Sequence, residues 1–281
     1  SAEARKRQQG SKGEGDKVPA AIRPEMSGPL AEYMLLHRHA AAQASIAASP
    51  AIALRLMVAH AMAGSALWDV RPHELRVRKD ETQASVEGSA SVAALGEATA
   101  QTDALFMALN VNPALRRNGD DYGLCEVFSA LLAMPDDEVL TVLASVMART
   151  LEAGNGIVEA VLHVCGTDLS AAWKPDEAFF DLTKDKRAIN AMIGDIATLS
   201  LAESCRAETG KAQKHVLANR IKGEGCEANP DWRPGWMQVP PTRLVDGAGS
   251  PPADAWTRIA SLFEAGAENA SDETPEHQDA A

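Results

Sequence analysis

Residues 135–154 read PDDEVLTVLASVMARTLEAG, and this stretch decides the fold class. Asp136, Asp137 and Glu138 set three carboxylates in a first turn, where the N-terminal end of a helix carries partial positive charge. Val139, Val142, Leu143, Val146, Met147 and Leu151 then recur at intervals of three and four. That spacing draws one apolar stripe along a helix and does not fit the alternation of a strand. Gly154 supplies the stop. The run at 157–164 is shorter and apolar on almost every side, as a buried core helix would be.

The same pattern extends upstream. Leu30, Tyr33, Met34 and Leu36, followed by many alanines, predict a helix from Ser27 towards Ser49. Ser49-Pro50 restarts the chain, since serine caps a helix and proline suits its first position. Residues 52–62 are apolar nearly all round, which predicts burial, and Gly64 is expected to stop them. Residues 68–91 read as a long surface loop with a short extended piece at 75–78. Helix resumes over 92–109 and a loop follows over 112–123, with a possible domain sub-boundary near 110–122.

Downstream, helices are expected at 176–182, 184–201 and 205–222. After Gly223 the stretch at 229–241, NPDWRPGWMQVPP, holds too many prolines for a helix. Residues 1–25 are polar and glycine-containing and read as a flexible linker. The tail over 246–281 is acidic and expected to be mostly disordered, apart from a short helix at 253–263. The expected architecture is all-α, a multi-helix bundle-like array with one helical domain over 26–245.

Composition agrees. The 281 residues are 46% hydrophobic, 4% aromatic and rich in alanine, the best helix former. Net charge is -12, from 27 basic and 39 acidic residues, which argues against a generic phosphate-binding surface. No apolar run approaches the ~20 residues that span a bilayer, so no membrane partner is expected, and the expected setting is cytoplasmic. Cys125, Cys165, Cys205 and Cys226 include no C-x-x-C pair and no zinc-like spacing to histidine, and are expected as reduced thiols.

Chemistry-bearing motifs are sparse. No nucleophile elbow, Walker loop or dinucleotide fingerprint occurs, so no catalytic residue and no cofactor is expected. His37 and His39 stand about 200° apart on a helix and cannot share an ion. His60 and His163 read as core histidines, with Glu159 four residues before His163 as a weak acid–base lead. Asp120-Asp121 and Asp136-Asp137 read as solvated acids, and no metal site is expected.

One basic cluster stands out. Arg206, Lys211, Lys214, Arg220 and Lys222 face a single acid, Glu208, and Lys211, Lys214 and Lys222 fall within about 80° on a helical wheel. That face suits phosphates or an acidic partner, and the plain alternative is a solvated helix surface. Lys184, Lys186 and Arg187 form a second, weaker group. Trp232 and Trp236, set among Pro234 and Pro240, are candidate docking aromatics, with capping of the domain's own core as the alternative.

Beyond these local signals, several strings together resemble a family. They are 22–72 (IRPEMSGPLAEYMLLHRHAAAQASIAASPAIALRLMVAHAMAGSALWDVRP), 119–154, 168–197, TGKAQK at 209–214 and WRPGWMQVP at 232–240. Spread over about 22–241, they resemble the region after the DNA-binding part of large ParB-like partition proteins. The resemblance implies a ParB-like domain and a helix-turn-helix before Ser1, neither of which is in this sequence. It implies a role in plasmid partition or chromosome segregation, with DNA contacted mainly through those absent parts. It further implies a partition ATPase as partner, homodimerisation and a nucleoid- or plasmid-associated location. Lys211 and Lys214 match a basic pair of the family pattern, and Trp173, Trp232, Pro234 and Trp236 match its aromatic landmarks.

The resulting expectation is a non-enzymatic helical domain acting in self-association, partner contact or auxiliary DNA contact. Its rivals are a ParB-like nuclease or hydrolase fragment and a purely structural scaffold.

Overall fold

A computed structural model describes residues 24–63, 76–77, 79–112 and 121–263. Among the described residues there are thirteen α-helices and no strand, which is the all-α array that the 3.6-residue patterning predicts.

Helix α1 (Gly28–Ala47) is the axis of the fold. Ser27 caps it by accepting from Leu30 N, and Pro29 sits in its first turn. Leu30, Tyr33, Met34, Leu36, Ala40, Ala41, Ala42 and Ile46 are buried, and so are His37, Arg38, His39 and Gln43. From Leu36 to Gln43 every residue is buried, and a stretch enclosed on every side needs neighbours on every side. Here they are α2 (Pro50–Ala63), α3 (Asp80–Glu87), α4 (Ala90–Ala108), α6 (Asp136–Arg149), α7 (Gly156–Val164) and α9 (Glu177–Leu182). The run of alanines lets them approach closely, and each large apolar side chain removed from water contributes roughly 1.5–3 kcal/mol.

Helix α5 (Asp121–Ala133) packs with the end of α4 and with α6 in a satellite cluster of Phe106, Ala130, Met134 and Val142. The short α8 (Leu169–Ala172) leads through Trp173 to α9. The next three helices are α10 (Lys186–Ile196), α11 (Leu199–Cys205) and α12 (Gly210–Lys222), and α10 packs on both of the others. Gly223, at φ +81°, ends α12 in the left-handed conformation, and an added Cβ there would stand 2.7 Å from Ala228 Cβ. The proline-rich segment folds back into the core through a 3-10 turn at Gly235–Met237. Gly235 is obligatory: a Cβ would fall 2.3 Å from Thr242 Oγ1. Helix α13 (Pro251–Thr257) then packs on α7.

The differences from expectation have local causes. The loop expected over 68–91 is helical in its second part, where Asp80 and Glu81 charge the first turn of α3 and Ser89 caps α4 by accepting from Val92 N. Its first part, like Gly64, lies mostly outside the described residues. The helix expected over 184–201 is split, because the Thr198 hydroxyl accepts from Leu201 N and opens α11. The helix expected over 205–222 is likewise divided between the end of α11 and α12, with Thr209 capping α12 through Ala212 N. The helix expected at 253–263 starts two residues earlier, at Pro251, and the stretch from 246 to 263 is ordered against the core with Ala248, Ser250 and Ala255 buried.

One buried ion pair fastens these layers. Arg38 on α1 and Glu159 on α7 are 0% and 2% exposed. Arg38 Nε donates to Glu159 Oε1 at 2.8 Å and Oε2 at 3.0 Å, and Nη2 donates to Oε2. Its Nη1 donates to the carbonyls of Trp236 (2.8 Å) and Gln238 (2.9 Å). Glu159→Ala strands a buried guanidinium and is expected to cost about 3–5 kcal/mol of unfolding free energy in urea titrations. Arg38→Met combined with Glu159→Leu should recover most of that loss, and a double variant as unstable as the single one would contradict this account.

Candidate functional site

The cationic residues converge at one end of the α10–α12 pair. Asp185 caps α10 by accepting from Arg187 N at 2.8 Å, which sets Lys184, Lys186 and Arg187 around the start of that helix. Gly210 opens α12 directly beside them: a Cβ there would lie 3.6 Å from Lys186 Cγ. Arg206, in the link between α11 and α12, joins Lys186 and Arg187 around a cleft of about 550 Å³ whose other lining includes Asn190, Gln213 and Asp246. The two basic groups that read as separate in the sequence are therefore one patch.

The charges in it are not equivalent. Arg187 Nη2 pairs with Asp185 Oδ2 at 2.7 Å, and Arg206 Nη1 pairs with Glu203 Oε2 at 3.3 Å on the open surface. Lys184, Lys186 and Lys211 are exposed and have no ion-pair partner among the described residues. Lys214 differs from the expectation. It is half-buried and its Nζ donates to the Phe180 carbonyl, closing the C-terminal end of α9. Burial, reinforced by the neighbouring Lys184 charge and opposed by Asp181, holds its ammonium below the ordinary lysine range. Lys214 is an anchor between α9 and α12. Lys222 shares the helical face but lies eleven residues from Lys211, roughly 16 Å along α12, and stands apart from the patch.

Trp232 and Trp236 are corrected as docking aromatics. Both are buried: Trp232 Nε1 donates to Asp195 Oδ2 at 2.8 Å, and Trp236 Nε1 to Glu25 Oε1 at 2.5 Å. Glu25 Oε2 also accepts from Leu244 N (3.2 Å) and Val245 N (2.8 Å), so a fully buried carboxylate is spent on holding the proline-rich segment. The Glu159–His163 lead is likewise corrected. Glu159 belongs to Arg38, and His163 is exposed, 4.7 Å from the Trp256 ring and 6.1 Å from that of Phe263. The side chain of His60 lies outside the described residues.

A second polar cluster joins α1, α3 and α9. Asp176 caps α9 through Phe179 N (2.9 Å) and accepts from Tyr33 Oη (2.8 Å) and Ser85 Oγ. Trp173 Nε1 donates to Tyr33 Oη at 3.2 Å, and His37 Nε2 stands 3.4 Å from Ser85 Oγ. Serine, histidine and aspartate meet here in the wrong order for a nucleophile. In a triad the imidazole stands between hydroxyl and carboxylate, whereas Ser85 bonds Asp176 directly. Among the described residues no three His, Cys, Asp or Glu side chains form a group that could hold a metal ion, and no helix is long and apolar enough to cross a membrane. All four cysteines are free thiols.

No protein-family model, curated protein or solved structure matches the chain significantly.

The cluster has a titration signature. Burial pushes His37 down to about 4 from the ordinary 6.5, with the Asp176 charge opposing the shift. The folded state keeps the ring neutral while the unfolded chain takes up a proton near pH 6.5, so the stabilisation is complete above that value and is lost as pH falls towards 4. Unfolding free energy should drop by about 2 kcal/mol from this group alone between pH 7 and pH 5. His37→Leu should flatten that part of the profile, and an unaltered slope in the variant would mean that His37 is protonated in the fold.

Proposed function

We propose that this helical array is a non-catalytic accessory domain of a ParB-like DNA-partition protein, and that it touches nucleic-acid backbone through the cationic end of the α10–α12 pair. One observation carries the reading: on a chain of net charge -12, Lys184, Lys186, Arg187, Arg206 and Lys211 gather at one place, and the three lysines make no ion pair among the described residues. Phosphate contact needs such locally uncompensated cations and little else. Exposed lysines on helix ends position a domain on a duplex without reading bases, which suits an auxiliary contact that adds to recognition made elsewhere in the protein. The sequence resemblance over 22–241 supports the same assignment, along with a nucleoid- or plasmid-associated location and a partition ATPase among the partners.

Fluorescence anisotropy with a labelled duplex tests the proposal. Binding should weaken steeply with added salt. Lys186→Glu with Lys211→Glu should abolish retention at low salt, while the milder Lys186→Ala with Lys211→Ala should lower the slope of log K against log salt by about 2, one for each lost phosphate contact. Lys222→Ala should leave the slope unchanged. Absence of binding at low salt, or equal loss on Lys222→Ala, would overturn the assignment.

A further inference from the structure

The cleft at the cationic end of α10 and α12 is suited to more than phosphate. Lys186, Arg187 and Arg206 line it against one acid, Asp246, and the half-buried Leu244 and Val245 add apolar surface. Lys211 stands exposed in the first turn of α12. Gln213, 1% exposed, belongs to the same lining. Its Nε2 donates to the Cys205 carbonyl at 2.8 Å, which fixes the orientation of the amide, and its Oε1 has no hydrogen-bond partner. A buried acceptor left without a donor costs about 1–3 kcal/mol. The backbone of a nucleic-acid duplex offers phosphate oxygens, which only accept. A polypeptide offers N–H donors along with its carboxylates. A cleft that is cationic, partly apolar and short of one donor is therefore complementary to an acidic peptide with small side chains.

The chain itself carries such a peptide. Residues 264–281, which follow the described part, hold Glu264, Glu268, Asp272, Glu273, Glu276 and Asp279, with Ala265, Ala267 and Ala270 among them and no Lys or Arg. We propose that this segment docks in cis on the cleft and shields it from other polyanions. The length of chain permits it. Asp246 in the lining and Phe263 are joined by a stretch that includes the seven residues of α13, so they stand no more than about 50 Å apart, and the residues from Phe263 to Asp279 extend up to about 55 Å. Tethering also favours it, since a segment on a short linker acts at an effective concentration of roughly millimolar, enough to populate weak ion pairs. The docking stands on the cleft and the segment alone, while its regulatory consequence rests on the nucleic-acid reading above.

Zero-length carbodiimide coupling of the full chain, followed by mass spectrometric mapping, tests the docking without nucleic acid. At low salt, carboxylates of 264–281 should be joined to Lys184, Lys186 or Lys211 within a product of the single-chain mass, 29.7 kDa. Lys222, exposed on the same helix, should stay unlinked, and high salt should abolish the links. Absence of links, equal linkage to Lys222, or links found only in a product of twice that mass would overturn the proposal. The regulatory consequence is read by duplex anisotropy on the full-length variant carrying Glu264→Gln, Glu268→Gln, Asp272→Asn, Glu273→Gln, Glu276→Gln and Asp279→Asn. If the segment fills the cleft nine-tenths of the time, this variant should bind the duplex about tenfold more tightly at low salt. Unchanged affinity would refute the shielding. A duplex bound by neither protein would instead count against the nucleic-acid reading, with the docking still decided by the links.

Discussion

The fold depends on a charge placed where charge is least tolerated. Arg38 sits in the middle of the most buried helix, and a guanidinium removed from water costs several kcal/mol unless every donor finds an acceptor. Glu159 supplies the counter-charge from α7, and the carbonyls of Trp236 and Gln238 take both Nη1 donors. Those carbonyls are available because the proline-rich segment forms no regular helix and leaves them unpaired along the chain. The one irregular segment of the core thus becomes the acceptor that a buried arginine requires. Glu25 holds the same segment from the opposite polarity, accepting from the Trp236 indole and from two backbone N–H groups. Pieces about two hundred residues apart are brought into register by two charged side chains, each of which would be destabilising without the other pieces in place.

This arrangement explains which parts of the molecule were legible in the sequence. Helices whose apolar residues recur at three and four, such as α6 and α7, declare themselves, because the core needs only one face or all of it. Capping hydroxyls were harder to weigh: Thr198 and Thr209 each interrupt what periodicity alone joins, and nothing in a threonine says whether its hydroxyl will cap or face solvent. The polar anchors were the least visible. Arg38 between two histidines gives no sign of its use until the middle of α1, residues 36–43, is found to be enclosed on all sides. The available signal was the lone Glu159 in the apolar run 157–164, where a carboxylate has no reason to stand without a buried cation to meet it.

The basic residues show the complementary limit. A helical wheel grouped Lys211, Lys214 and Lys222 correctly by angle, yet angle alone does not say what a side chain is used for. The end of α9 takes Lys214 for its last carbonyls, a placement that requires α9 and α12 to be adjacent. Lys186, from another helix and another part of the chain, replaces it beside Lys211 because α10 and α12 pack with their N-terminal ends together. A patch assembled from two helices is invisible to any reading of one.

Net charge then constrains how such a molecule can associate. A chain at -12 repels its copies and repels nucleic acid, and at physiological salt that repulsion fades only beyond a Debye length of about 8 Å. Any close contact must therefore be made where the local charge departs from the average. The meeting of α10 and α12 is such a place, where Lys184, Lys186 and Lys211 stand exposed and outside the ion pairs of the described residues. A polyanion approaching this chain is therefore steered to that place by the local charge and repelled by the acidic average around it.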